Sequence, residues 1–211
     1  MAQEAGPGFK KKSLHAAEQD RPDVQAAREL WHDHLKDVPI EKLVFLDESG
    51  AKTDMTRTRG RAPRGVRVVE SVPHGHWSTT TMISAIRTSG PFAAAVVNGA
   101  TDTDVFRAYV QHVLVPELKV DDVVILDNLQ PHKSAGVREM IEAAGAKLLY
   151  LPPYSPDFNP IENMWSKVKQ HLRSAAARTF EALQEAVTSA LYTITPSDCL
   201  GFFRNCGYRA T

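Results

Sequence analysis

Two cysteines in 211 residues, Cys199 and Cys206, are too few to frame a disulfide-stapled domain. With Phe202 and Phe203 they mark one face of a helix, so they read as core residues, and a reducing cytoplasm fits. Net charge is missing as well. The 25 Lys and Arg are balanced by 25 Asp and Glu, so no global field draws the chain to nucleic acid, and any such role must rest on local patches. No apolar run approaches the length of a membrane span, and the polar start is not a signal peptide. Zinc-type ligand clusters are lacking too. His74 and His76 stand without a third or fourth protein ligand and read as loop residues. Repeats and low-complexity segments are absent. What remains is ordinary for a globular protein, 43% hydrophobic and 24% charged, with length enough for one sizeable domain and its appendages.

The first twenty or so residues are polar and include Lys10, Lys11 and Lys12, which suggests an arm. Val24, Ala27, Trp31, His34 and Leu35 then recur at helical spacing between Asp23 and Leu35. "KLVFLDESG" reads as a buried strand ending in Asp47. Arg57 to Arg67, "RTRGRAPRGVR", is a loop with five arginines. "HWSTTTMISAI" and "PFAAAVVN" flank "RTSG" and predict a hairpin. A helix follows from Thr103 to Val115, with Pro116 as its stop. "DDVVILDN" is a second buried strand, ending in Asp127; Ser134 to Ala144 is a helix closed by Gly145; "KLLYL" is a third buried strand. Thr179 and Thr195 look like N-caps of two further helices. Antiparallel strands followed by alternating strands and helices predict an α/β domain, a mixed sheet covered by helices. Such sheets bind ligands at the carboxyl ends of their strands.

"YLPPYSPDFNPIENMW", Tyr150 to Trp165, is the most unusual stretch: four prolines and then a helix. Asn159 suits an N-cap, Pro160 the first helical position, and Glu162 the third, where a carboxylate can cap N–H groups and meets the helix dipole. Locally, capping is the commoner role for Glu162. Elsewhere, however, Asp47 and Asp127 each close a strand of the fully buried type, where an ionised carboxylate is costly unless something pairs with it. A turn residue accounts for one such Asp; two on neighbouring strands raise the odds of a metal site, and Glu162 begins a helix close to the same sheet edge. Three oxygen donors without a His or Cys cluster suit Mg²⁺ or Mn²⁺, and two such ions can run phosphoryl transfer.

"LVFLDESG", "VVILDNLQPHKS" and "LPPYSPDFNPIENMWSKVK", with 34 residues between Asp127 and Glu162, together resemble the catalytic domain of DDE transposases, in particular the bacterial insertion sequence 630 branch of the mariner superfamily. The likeness runs from about Ser13 to the C-terminus. It implies an RNase H-like fold, a five-stranded mixed sheet with helices on both faces. It implies that Asp47, Asp127 and Glu162 share two Mg²⁺ or Mn²⁺ ions, that water attacks in strand cleavage and a DNA 3′-hydroxyl in strand transfer, and that Asn128 and His132 line the site and contact phosphate or the scissile strand. Transposon ends and target duplex are the implied partners, with a homodimer to pair the ends, in a bacterial cytoplasm at the nucleoid.

Other residues admit two readings. Glu48 neighbours Asp47, but strand alternation points it to the other face, outside the ligand set. Asp157 reads as a turn residue and Trp165 as core. The arginine loop could be a solvated loop, yet Arg57, Arg59, Arg61 and Arg64 with almost no opposing charge favour DNA backbone contact. Lys167, Lys169 and Arg173 could extend that patch. The expected domain plan is 1–40 as an arm and helix left from a linker or DNA-binding region, 41–175 as the catalytic domain and 176–211 as a helical extension packed on it. Relatives usually carry helix-turn-helix domains first. About forty residues before the first strand cannot hold such a pair. The expectation is therefore the downstream product of a split frame, partnered by a DNA-binding domain from an upstream frame, or a truncated remnant that binds DNA or full-length transposase without catalysing transposition.

Overall fold

The computed structural model describes residues 16–73, 77–129, 131–133 and 136–209. The Lys10–Lys12 run, Ser13, His74, His76 and Ser134 lie outside them. Helix α1, Pro22–Leu35, starts with Pro at its first position and buries Val24, Trp31 and Leu35. Strand β1, Leu43–Lys52, leads through the arginine segment to β2, Thr79–Arg87, and β3, Gly90–Asn98. The hairpin between β2 and β3 turns through Thr88, Ser89 and Gly90, whose φ of 143° favours glycine. Helix α2, Thr103–Tyr109, is capped by the Asp102 side chain, which accepts from the Asp104 and Val105 N–H groups. Then come β4, Val123–Leu126; α3, Val137–Ala143; β5, Lys147–Tyr150; α4, Pro160–Ala175; α5, Phe180–Tyr192; and α6, Pro196–Asn205.

The five strands form one mixed sheet in the order β3-β2-β1-β4-β5. β1, β2 and β3 are antiparallel neighbours, while β4 and β5 run parallel to β1. Alternation gives each strand two faces. Leu43 and Phe45 of β1 and Val123 and Ile125 of β4 enter one core with Ile161, Met164, Trp165, Val168 and Leu172 of α4, and with residues of α1, α5 and α6. Val44, Leu46, Val124 and Leu126 point the other way, into a second core with Phe106, Val110 and Leu114, and Val137 and Ile141 of α3. This is the RNase H-like arrangement with helices on both faces. Trp165 is 1% exposed, so truncating it to Ala is expected to cost about 3–5 kcal/mol.

Three elements differ from expectation. β1 does not end at Asp47 but continues to Lys52, because β2 pairs with it through Lys52↔Thr79. The helix expected from Thr103 to Val115 is α-helical only to Tyr109. A π turn, Val110–Leu114, and a 3-10 turn, Val115–Glu117, follow, so Pro116 sits inside the closing turn. α3 begins at Val137, after Gly136 with φ 93°, rather than at Ser134. Thr179 and Thr195 do cap α5 and α6, the latter in a full capping box with Asp198.

Candidate active site

β1 and β4 share the register Leu43↔Val123, Val44↔Val124 and Phe45↔Ile125. The same register carried two residues further sets Asp47 level with Asp127, just past the end of β4. Both residues have the parity of Phe45 and Ile125, so both face the side covered by α4. α4 offers Glu162 from its first turn. Asp47, Asp127, Asn128, Asn159, Glu162 and Tyr154 open onto one cavity of about 430 Å³.

The local reason that Glu162 faces this cavity lies before the helix. Asn159 makes no side-chain cap bond; its Nδ2 instead stands 3.5 Å from Asp47 Oδ2, and its buried Oδ1 has no partner among the described residues. The Glu162 side chain makes no hydrogen bond among the described residues. Asn159 does hold the N-cap position, with Pro160 and Glu162 in the first turn as expected, but neither side chain makes a capping bond, and the helix start presents both to the strands. The approach is held from a distance. Arg28 of α1 donates to Ser155 Oγ at 2.7 Å, pairs with both Asp157 oxygens at 3.0 and 2.7 Å, and lies 4.2 Å over the Phe158 ring. Asp157 is thus more than a turn residue. Tyr154, with φ 55°, takes a left-handed conformation rare for an aromatic residue, at the cavity wall.

Asp47 is 8% exposed. Oδ1 accepts from the Glu48 N–H at 2.8 Å. Burial, then the charge of Glu162 and more weakly that of Asp127, push its carboxyl up to about 8. Asp127 is held differently. Its Oδ1 accepts from the Leu129 N–H at 3.1 Å and from His132 Nδ1 at 2.5 Å, while Oδ2 has no hydrogen bond among the described residues. His132 is 1% exposed, lies tilted against the Phe106 ring with centroids 4.5 Å apart, and turns Nε2 to Glu48 Oε2 at 3.2 Å. Burial alone would lower its pKa, but the bonds to Asp127 and Glu48 outweigh it and hold the ring at about 9, so the imidazolium donates to both carboxylates. His132 therefore stands behind Asp127, and with both ring nitrogens engaged it has no free donor for a phosphate. Glu48 does face away from Asp47, yet it joins the site through His132.

Among the described residues, no three His, Cys, Asp or Glu side chains already converge on one point at metal-binding distance. Asp47, Asp127 and Glu162 share a cavity wall instead. Their chemistry fits a hard divalent cation: oxygen donors only, burial and then mutual repulsion that raise Asp47, and Asp127 Oδ2 left open. Lys133, also at this cavity, adds a positive charge that the sequence did not single out.

The basic residues sit apart. Arg57, Arg59, Arg61, Arg64 and Arg67 are exposed in irregular backbone. Arg57 donates to Ser174 Oγ at 2.9 Å, and Arg57, Arg59, Lys167, His171 and Arg173 line a second open cavity of about 620 Å³. Lys167 is paired with Asp198 of α6 at 2.8 Å, so part of its charge is spent within the chain. Lys169 does not line that cavity.

Fold and acids together define an RNase H-like nuclease domain whose acidic residues come from two strands and a helix. Residues 42–184 match the family model described as DDE superfamily endonuclease, more than half of the chain, and the chain belongs to that family. A stretch of 63 residues is 38% identical to the Tcb2 transposase of Caenorhabditis briggsae, over 28% of this chain and 23% of that protein. A pre-cleavage Mos1 transpososome superposes with TM-score 0.74 at 13% identity, covering 96% of this chain and 64% of that one. The catalytic domain of Mos1 mariner transposase superposes with TM-score 0.61 at 13% identity, covering 94% and 91%. A Mos1 paired-end complex with Mg superposes with TM-score 0.73 at 13% identity, covering 96% and 64%. This is a DDE-type catalytic domain similar to those transposases, and the chain spans less than two thirds of the full-length relatives it matches.

Proposed function

We propose that this chain cuts and rejoins DNA as the catalytic part of a transposase of the bacterial insertion sequence 630, mariner-like group. The observation that carries the reading is the placement of Asp47 on β1 level with Asp127 just past the end of the adjacent parallel strand β4, with Glu162 of α4 on the same cavity. Asp47, Asp127 and Glu162 would hold two divalent ions, Mg²⁺ or Mn²⁺. When bound, these ions activate the attacking oxygen and stabilise the leaving oxygen of phosphoryl transfer. The structures of Mos1 with Mg and with Mn support that choice by analogy.

The chain's own residues supply position. The strands fix two carboxylates, and the Arg28-held approach fixes the third. His132 and the Leu129 N–H orient Asp127. Arg59, Arg61 and Arg64 hold duplex phosphates, with Arg57, Arg173 and, in part, Lys167 beside them. Asn128 meets the scissile strand at the cavity lip. Water attacks a phosphodiester and leaves a 3′-hydroxyl and a 5′-phosphate; that 3′-hydroxyl then attacks a target phosphodiester, whose own 3′-oxygen leaves as a 3′-hydroxyl. Transposon ends and target are the substrates, and a second copy of the chain and a helix-turn-helix domain bring the two ends together.

The test is nicking of a labelled duplex in Mn²⁺ by the wild-type chain and by Asp127→Asn. Wild-type cleavage that falls by more than about 100-fold in a folded variant is expected, since outer-shell changes at metal sites alone cost about 10–100-fold. Equal cleavage by the two proteins would refute the proposal.

A further inference from the structure

Adjacent residues Asp47 and Glu48 send one carboxylate to each face of the sheet, yet both serve one site. The link is the shortness of β4. It ends at Leu126, and among the described residues no strand pairs with the second half of β1 on that side. His132, from the 3-10 turn Pro131–His132–Lys133, fills that gap at the sheet edge. Its Nδ1 meets Asp127 Oδ1 at 2.5 Å and its Nε2 meets Glu48 Oε2 at 3.2 Å. The ring is clamped by Phe106, and the Tyr150 hydroxyl donates to the His132 carbonyl at 3.1 Å. Among the described residues Glu48 Oε1 is buried without a partner, and the Glu48 carboxylate makes its hydrogen bond to His132 through Oε2.

We infer that Glu48 is a positioning residue for the carboxylate site, acting through His132. With Nε2 engaged by Glu48, the ring cannot rotate or slide along the turn. Nδ1 then stays on Asp127 Oδ1, and Oδ2 stays turned to the cavity. A ligand carboxylate or imidazole held from behind in this way is the usual outer-shell design of a metal site. Glu48 itself faces the opposite core and touches neither substrate nor cation. The inference rests on the metal reading given above.

The test is calorimetric Mn²⁺ binding to the chain without DNA, on variants whose folding is checked by circular dichroism and thermal unfolding. Glu48→Ala is expected to weaken Mn²⁺ by about 10–100-fold, and Glu48→Gln, which keeps an acceptor oxygen for Nε2, by less. His132→Asn keeps a donor near the Nδ1 position but cannot reach Glu48; it is expected to match Glu48→Ala. The double variant Glu48→Ala with His132→Asn should then be no worse than either single change, because Glu48 acts only through the ring. A general loss of stability would instead multiply the two effects. Wild-type affinity in folded Glu48→Ala, or multiplied losses in the double variant, would overturn the inference while leaving the metal reading intact. If Glu48→Ala does not fold, His132→Asn decides: affinity equal to wild type in that folded variant overturns the inference. No Mn²⁺ binding by the wild-type chain overturns the metal reading, and this inference with it.

Discussion

Asp47 sits where a carboxylate is hard to ionise, and that gives the site a measurable pH signature. Burial and the charge of Glu162 raise its pKa from 3.8 to about 8. A carboxyl raised in the folded state contributes stability that is complete below 3.8 and is lost as pH rises through about 8, because the unfolded chain releases the proton first. A divalent cation reverses this by favouring the ionised form. The Tm of the metal-free chain is therefore expected to fall between about pH 4 and 8, and the gain on adding Mg²⁺ to grow over the same window. At about 100 times its Kd the ion contributes about 2.7 kcal/mol. For a chain of this size that is about 5–10 °C in Tm. Scanning fluorimetry across that pH range checks it; a Mg²⁺ effect independent of pH would contradict it. The thiols give a simpler case. Burial pushes Cys199 and Cys206 up to about 11, so both should alkylate slowly at pH 8 in the native chain and quickly in denaturant. Rapid native labelling would show that α6 does not pack as described.

Among elements, α1 does the least visible work. Trp31 Nε1 donates to the Tyr208 hydroxyl at 2.8 Å, and that hydroxyl donates to the Phe158 carbonyl at 2.7 Å. One buried hydroxyl thus joins α1, the C-terminal segment and the approach to α4. Tyr208→Phe leaves a buried indole N–H and a carbonyl unpaired, at a cost of about 1–3 kcal/mol. Its Tm should drop by several degrees in thermal unfolding, about 2–4 °C per kcal/mol; an unchanged Tm would contradict the network. None of this is legible in sequence, because Trp31 and Tyr208 meet only through the fold. Nor can periodicity show that Arg28 grips Ser155 and Asp157, or that Glu48 reaches His132 past a four-residue strand. What periodicity does carry are the apolar runs of β1, β4 and β5, the α4 stripe and the hairpin, since each is a local pattern. β1 runs past Asp47 because pairing with β2, not its own "SGAK", makes that half a strand. Asn159 and Glu162 read as caps because the same side chains suit a helix start and a cavity wall, and only the neighbouring strands decide between them.

At the scale of the whole molecule, a net charge of zero makes the exposed arginine segment and its neighbours the place where the proposed DNA contact must rest. Replacing Arg59, Arg61 and Arg64 with Ala should weaken duplex binding about equally for all sequences and reduce the salt slope by about 1 per lost phosphate contact. Fluorescence anisotropy from 50 to 200 mM salt checks this, and an unchanged slope would remove the loop from the interface. Asp47 and Asp127, level at one edge of the sheet, and Glu162 of α4 meet at one cavity although they lie far apart in the chain. Whether these three acids hold the catalytic ions is the central claim. Anomalous scattering from a crystal of the chain grown with Mn²⁺ tests it most directly. Mn²⁺ is expected in the cavity, bound by Asp47, Asp127 and Glu162 with Asp127 Oδ1 still on His132. Mn²⁺ bound only elsewhere, or none at this cavity at saturating concentration, would contradict it.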